Sequence, residues 1–154
     1  MSKSMARVAE AIAASGLDAR IIEPGPSRTA EEAAAACGCE LDQIVKSLIF
    51  QGESGRIYLF LTAGGRQLDP AKAAEVAGET LGRADAETVR RETGFAIGGV
   101  APLGHLTAPR IYADPRLAEF AQVFAAAGTP RHVFAAEPRA LIDACGADWA
   151  DFTR

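Results

Sequence analysis

Two apolar segments joined by a short polar turn place the strongest constraint on the fold of this chain. VKSLIF (45–50) and RIYLFLT (56–62) are separated by QGESG (51–55). Both segments are rich in residues that favour strands, and a glycine-containing connector of this length is typical of a β-hairpin. The sequence therefore predicts antiparallel strand pairing near the middle of the chain.

Helix and strand signals alternate around this hairpin without the regular period of a doubly wound parallel sheet. Capping residues, proline at helix starts and apolar spacing predict helices at residues 5–15, 29–37, 70–77, 85–93, a short one from 115, and 138–144. Further strands are predicted at 19–23, 95–100 and 110–113. A second hairpin is predicted at 122–136 with its bend at 128–130, although its first half also fits a helix. We expect one α+β domain over residues 1–154, with a mixed, largely antiparallel and partly barrel-like sheet surrounded by helices.

The composition excludes several classes of protein. The chain of 154 residues is 49% apolar and 23% charged, which is typical of a folded globular protein. Its apolar segments are too short to span a bilayer, and the N-terminus carries charges within its apolar pattern. We expect a cytoplasmic protein with no membrane partner. The three cysteines, Cys37, Cys39 and Cys145, are expected to be reduced packing residues.

The usual catalytic motifs are absent from the sequence. It contains no serine nucleophile elbow, His-Glu-x-x-His or P-loop, and its two histidines lack a spacing that suggests a metal. We therefore expect no metal and no cofactor. The net charge of −4 means that any nucleic acid must be held locally, by a few residues. These absences leave chemistry performed by backbone groups and a few polar side chains.

Lys46 is the first candidate for such a role. It lies within the apolar segment VKSLIF, where lysine is unusual. It either points to solvent from the polar face of a half-buried strand or binds a phosphate.

The loop from Gly98 to Pro102 is the second candidate. Consecutive N–H groups exposed by glycine can bind an anionic oxygen, and the alternative is an ordinary β-turn. His105 is either a general acid or base or a structural histidine. Arg131 follows the bend at 128–130 and is a candidate contact for a polyanion.

Three segments resemble one known family in order and spacing. TAEEAAAACGCELDQIVKSLIF (29–50), TGFAIGGVAPLGH (93–105) and AAAGTPRHVF (125–134) are similar to the YbaK and prolyl-tRNA synthetase editing-domain family, the trans-acting aminoacyl-tRNA deacylases. The resemblance extends over about residues 29–147. It implies the fold of that family and hydrolysis of mischarged aminoacyl-tRNA.

The resemblance also implies roles for individual residues. Lys46 corresponds to the lysine that contacts a phosphate near the tRNA 3′ end, and the loop corresponds to the backbone amides that hold the aminoacyl carbonyl. The implied catalytic residues are Gly98, Gly99, Val100, Ala101 and Pro102. The implied substrate-binding residues are Thr29, Lys46, Ser47, His105, Asp114, Gly128 and Thr129. The reactive hydroxyl is then supplied by the terminal ribose of the substrate, so no protein nucleophile is needed.

Two departures from the family pattern bear on the substrate. Relatives that act on Cys-tRNA carry serine at the position of Ala101 and a lysine-rich segment where this chain has GHLTAP (104–109). The resemblance therefore favours alanine, serine or a similarly small amino acid over cysteine. The expected partners are the 3′ end of aminoacyl-tRNA and an aminoacyl-tRNA synthetase. A non-catalytic module that binds a tRNA 3′ end or a nucleotide, and a small-molecule esterase, are the alternatives.

Overall fold

The computed structural model describes residues 2–154, which form five helices, two short 3-10 helices and eight strands. The helices are α1 (Lys3–Ser15), α2 (Ala30–Cys37), α3 (Pro70–Ala77), α4 (Ala86–Thr93) and α5 (Pro138–Cys145). The 3-10 helices are Leu41–Gln43 and Pro115–Glu119. The strands are β1 (Arg20–Ile22), β2 (Val45–Gly52), β3 (Ile57–Ala63), β4 (Leu81–Arg83), β5 (Arg110–Ala113), β6 (Val123–Thr129), β7 (His132–Ala136) and β8 (Asp148–Trp149).

The strands form two sheets, with orders β4-β2-β3-β5-β8 and β1-β7-β6. The predicted hairpin is β2 and β3, which pair antiparallel with Lys46 opposite Thr62. The second hairpin is β6 and β7, so the first half of residues 122–136 is a strand and not a helix. β5 is parallel to β3, and β8 is parallel to β5. The predicted α+β class with a mixed, largely antiparallel sheet is confirmed.

The expectation of a partly barrel-like sheet is wrong. The two sheets stay open and are linked by a single parallel bridge between Ile44 and Phe124. The five-stranded sheet ends at β4 and β8, which are three and two residues long. Such short edge strands offer too few backbone groups to continue the pairing around to the other sheet. Neither β4 nor β8 was predicted, because segments of this length carry little periodic signal.

The predicted strand at 95–100 is also wrong, and the segment is a loop. The N–H of Gly99 donates to the carbonyl of Ala96 at 3.0 Å, and Gly98 has φ +94°. This left-handed backbone interrupts a pleated strand. Phe95 is fully buried whereas Ile97 is 63% exposed. Residues two apart share one face of a strand, so this burial pattern also departs from that of a strand.

The helices begin at the predicted capping residues. The hydroxyl of Thr29 accepts the N–H of Glu32 at 3.1 Å at the start of α2. Asp69 and Asp85 cap α3 and α4 in the same manner. These local bonds satisfy backbone donors that have no partner inside the helix.

Apolar residues pack in three clusters around the sheets. The first cluster joins α1, α4 and α5 to one face of β3, and the second lies on the opposite face around Phe60. The third joins α2 to Ile44 and Phe124 at the junction of the two sheets. Among residues 2–154, no helix is long and apolar enough to cross a membrane.

Candidate functional site

A cavity of about 330 Å³ opens at the junction of the two sheets. Its walls come from the start of α2, the first residues of β2, the loop after α4 and the turn between β6 and β7. Six of the predicted site residues line it: Thr29, Lys46, Ser47, Gly98, Val100 and Thr129. Segments far apart in sequence, from all three motifs, therefore meet at one place.

The charged side chains that line the cavity are cationic. They are Arg28 and Lys46, and no carboxylate is among the lining residues. His132 is the one further titratable side chain in this lining. A cavity of this composition attracts an anion although the chain as a whole has a net charge of −4.

Lys46 is oriented by the backbone of the segment after β3. Its Nζ donates to the carbonyl of Arg66 at 2.5 Å, and the side chain is partly buried. Burial lowers the pKa of Lys46, whereas the nearby carboxylates of Glu31, Asp42 and Asp114 act to raise it. Because its hydrogen-bond partner is a neutral carbonyl, the ammonium charge is not neutralised by a direct ion pair.

Asp114 lies behind Lys46 and outside the cavity lining. Its side chain is fully buried and accepts the N–H of Ala63 at 3.2 Å and Nη1 of Arg66 at 3.1 Å. It also accepts the N–H of Arg116 at 3.0 Å. These bonds fix the segment whose carbonyl orients Lys46. The substrate contact expected for Asp114 stays a prediction.

The loop with two consecutive glycines packs against the turn between β6 and β7. A Cβ on Gly99 would lie 2.9 Å from Cα of Thr129, so this position requires a close backbone approach. Gly98 differs, because a Cβ there would meet open space but the φ of +94° disfavours any side chain. The structure therefore favours glycine at the two positions for different reasons.

Three N–H groups of this loop remain available. The amides of Gly98, Val100 and Ala101 donate to no backbone carbonyl within residues 2–154, whereas that of Gly99 closes the turn with Ala96. Gly98 and Val100 line the cavity. Ala101 and Pro102 are buried and lie outside its lining, and proline has no N–H.

His105 supports the loop from behind and does not line the cavity. Its Nε2 lies 2.6 Å from the carbonyl of Ala101, so Nε2 carries the proton and donates. The ring packs edge-on against Phe95, with centroids 5.3 Å apart. Burial lowers the pKa of His105, and the charge of Arg7 lowers it further, while the bond to Ala101 opposes the shift. The imidazole is therefore neutral near pH 7.

The turn between β6 and β7 brings a residue that the sequence reading missed. His132 lines the cavity, with Nδ1 2.6 Å from Oγ1 of Thr129 and Nε2 3.4 Å from a carboxylate oxygen of Glu23. The signal available was its place in AAAGTPRHVF, as one of only two histidines. Arg131 forms an exposed ion pair with Glu23 at 3.3 Å. Gly128 lies outside the cavity lining and accepts a bond from Ser4.

Other chemistry has little support in this cavity. The hydroxyl of Ser47 is buried and has no hydrogen-bond partner, so no base activates it as a nucleophile. Within residues 2–154, no group of three or more His, Cys, Asp or Glu side chains is arranged to hold a metal ion. The three cysteines are free thiols, and burial raises the pKa of Cys145 to about 12.

Comparisons with known proteins agree on one family. The model of the aminoacyl-tRNA editing domain matches residues 24–144. The uncharacterized protein YwhH of Bacillus subtilis is 34% identical over 132 residues, which cover 80% of this chain and 83% of that protein. The proline-tRNA ligase of Thermosipho melanesiensis is 38% identical over 88 residues, or 56% of this chain and only 15% of the ligase.

Solved structures extend the similarity to the whole chain. A crystal structure provisionally described as a trans-editing enzyme for prolyl-tRNA synthetase is 46% identical, with a TM-score of 0.93. The alignment covers 100% of this chain and 99% of that one. The hypothetical protein APE2540 is 32% identical with a TM-score of 0.89, over 96% of this chain and 99% of that one.

Proposed function

The chain belongs to the aminoacyl-tRNA editing-domain family, and from this premise we propose that it acts in trans as a deacylase of mischarged aminoacyl-tRNA. The observation that carries the proposal is the cavity lining. It combines the cations Arg28 and Lys46, no carboxylate, and the unpaired amides of Gly98 and Val100. These groups suit a ligand with a phosphate at one end and a reacting carbonyl at the other.

In the proposed mechanism, Lys46 binds a phosphate near the 3′ end of the tRNA. The amides of Gly98 and Val100 donate to the carbonyl oxygen of the aminoacyl ester and stabilise the negative charge that develops on it. Water adds to the carbonyl carbon, the bond to the ribose oxygen breaks, and that oxygen receives a proton. The products are a free amino acid and uncharged tRNA.

The adjacent ribose hydroxyl of the substrate orients the water in this mechanism. An ester is already an activated acyl group, so positioning and charge stabilisation contribute most of the required acceleration. The unpartnered hydroxyl of Ser47 supports this route over an acyl-enzyme intermediate. Thr29, Thr129 and His132 border the same space and are proposed to contact the substrate.

We propose small amino acids, alanine or serine, on tRNA specific for proline as the substrates. The similarity to proline-tRNA ligases and to a structure described as serving prolyl-tRNA synthetase supports the choice of tRNA. Ala101 is fully buried next to the amide donors. The corresponding position is serine in the relatives that act on Cys-tRNA. This difference supports a lower preference for cysteine.

The test is release of amino acid from proline-specific tRNA charged separately with alanine, serine, cysteine or proline. We expect release of alanine or serine, slower release of cysteine and no release of proline. Tight binding of charged tRNA without release would contradict a deacylase and identify a binding module. Hydrolysis of simple aryl esters with no activity on charged tRNA would identify an esterase instead.

A further inference from the structure

We propose that α1 positions the loop that carries the proposed amide donors, taken here as residues 94–104, and that Arg7 is its positioning residue. This inference rests on the proposed function. α1 (Lys3–Ser15) lies outside residues 24–144, the part of the chain that matches the family model. It nevertheless contacts both segments that form the walls of the cavity beside Gly98 and Thr129.

Arg7 bridges the two ends of the loop. Its Nη2 donates to the carbonyl of Gly94 at 2.6 Å, and its Nε donates to the carbonyl of Gly104 at 3.3 Å. The guanidinium lies over the ring of Phe95, 4.9 Å from its centroid. A planar guanidinium can donate in two directions while stacking on an aromatic ring, and an ammonium cannot reproduce that geometry. Gly98 lies between the two bridged carbonyls in the chain.

The loop ends have no side chains where they meet α1. A Cβ on Gly104 would lie 3.1 Å from the carbonyl oxygen of Arg7, and a Cβ on Gly94 would collide with its guanidinium. Both glycines also have positive φ. The close approach therefore depends on glycine at both ends of the loop.

The first turn of α1 contacts the opposite wall in a similar way. The hydroxyl of Ser4 donates to the carbonyl of Gly128 at 2.8 Å. A Cβ on Gly128 would lie 2.8 Å from the carbonyl oxygen of Ser4. The two walls also contact each other, where Gly99 approaches the backbone of Thr129. α1, the loop and the turn thus form three mutual contacts that fix the position of the loop amides.

Loss of Arg7 should change the position of the loop more than the fold. Backbone bonds from Leu106 to Thr93 at 3.2 Å and from Thr107 to Glu92 at 2.8 Å still join the loop to the end of α4. Misplacement of catalytic groups by about 1 Å can reduce a rate by about 10²-fold. We therefore expect an effect on kcat, because the loop acts on the reacting carbonyl and not on the tRNA phosphate.

The experiment compares Arg7→Ala with Lys3→Ala, which removes an exposed charge from the same helix. Deacylation of the best substrate of the panel should show kcat reduced by about tenfold or more in Arg7→Ala, with KM within about twofold of wild type. Lys3→Ala should match wild type. Ethylguanidinium should restore part of the activity of Arg7→Ala, and ethylammonium should not, since only the former can bridge two carbonyls.

A folded Arg7→Ala variant with wild-type kcat, or equal rescue by ethylguanidinium and ethylammonium, would overturn the proposal. If that variant does not fold, Arg7→Lys replaces it, and we expect the same loss because one ammonium cannot span both carbonyls. Hydrogen exchange gives a readout that is independent of activity. The amides of Phe95 and Gly99, which donate to Thr93 and Ala96, should exchange faster in the Arg7 variant while β3 is unchanged. Identical exchange at these two amides would contradict the proposal. A wild-type protein that releases no amino acid would instead contradict the proposed function.

Discussion

Lys46 illustrates how one residue can keep a usable charge inside an acidic chain. Its Nζ donates to the backbone carbonyl of Arg66. The guanidinium of Arg66 in turn pairs with the buried carboxylate of Asp114. The ammonium is therefore directed by a neutral acceptor, and the acidic partner is one step removed. This arrangement supports the proposed phosphate contact.

We expect Lys46→Ala to weaken tRNA binding and to reduce its salt dependence. One lost phosphate contact should reduce the slope of log K against log salt by about 0.7 for a single strand. Binding measured at several salt concentrations checks this, with Lys72→Ala as control because Lys72 pairs with Asp151 away from the cavity. An unchanged KM and salt slope in Lys46→Ala would remove the phosphate role.

The two glycines of the loop should respond differently to substitution. We expect Gly99→Val to abolish deacylation, because its side chain would collide with the backbone of Thr129 and displace the amide donors. The cost to folding should be about 1–3 kcal/mol. Gly82→Val is a matched control, since a Cβ on Gly82 meets open space and its φ is not left-handed. Kinetics and thermal melts measure the two effects, and full activity in folded Gly99→Val would refute the amide assignment.

At the scale of elements, the loop after α4 is supported from two sides. Arg7 bridges its ends, and His105 donates to the carbonyl of Ala101 within it. Both the neutral and the charged imidazole could donate this hydrogen bond, but burial of His105 makes the charged form unfavourable. Folding and pH should be coupled through this histidine.

We expect His105→Gln to flatten the dependence of stability on pH. The pKa of His105 is lowered below its ordinary 6.5 in the folded protein, so the unfolded chain binds the proton more readily. Its contribution is fully present above pH 6.5 and is lost as the pH falls from about 6.5 towards the folded pKa. Glutamine can still donate to Ala101 but does not titrate. Urea unfolding of both proteins at pH 5, 6 and 7 checks this, and identical pH dependence would contradict it.

At the scale of the whole molecule, the C-terminal segment closes the second apolar cluster. Phe152 is fully buried and packs edge-on against Phe60 at a centroid distance of 4.9 Å. Its carbonyl accepts the N–H of Asp69 at 2.8 Å, and the N–H of Arg154 donates to Gln67 at 3.0 Å. The chain end therefore fixes the connection between β3 and α3, where Arg66 also lies.

We expect Phe152→Ala to reduce the free energy of unfolding by about 3–5 kcal/mol through lost burial and a residual cavity. Phe152→Leu should cost less, because it retains most of the apolar volume. Denaturant unfolding of the three proteins measures the difference. A cost below about 1 kcal/mol for Phe152→Ala would mean that the C-terminal segment is not part of the cooperative fold.

Local signals in the sequence determined the hairpin of β2 and β3 and the caps at Thr29, Asp69 and Asp85. These signals act within about four residues, so they can be recognised from the sequence without knowledge of the tertiary structure. The resemblance of three motifs, together with the matching family model, determined the family. It also added Thr29, Ser47 and Thr129 to the candidates that line the cavity, beside Lys46, Gly98 and Val100, which the residues alone had suggested.

Only the tertiary structure decided that the sheets stay open, that residues 95–100 form a loop, and that Asp114 and His105 lie behind the cavity. It also decided the positions of His132 and Arg7. Each of these depends on contacts between segments far apart in the chain, and such contacts leave no periodic pattern in either segment. The local apolar pattern at 95–100 did not determine the backbone shape, because packing against α1 and the turn between β6 and β7 sets that shape.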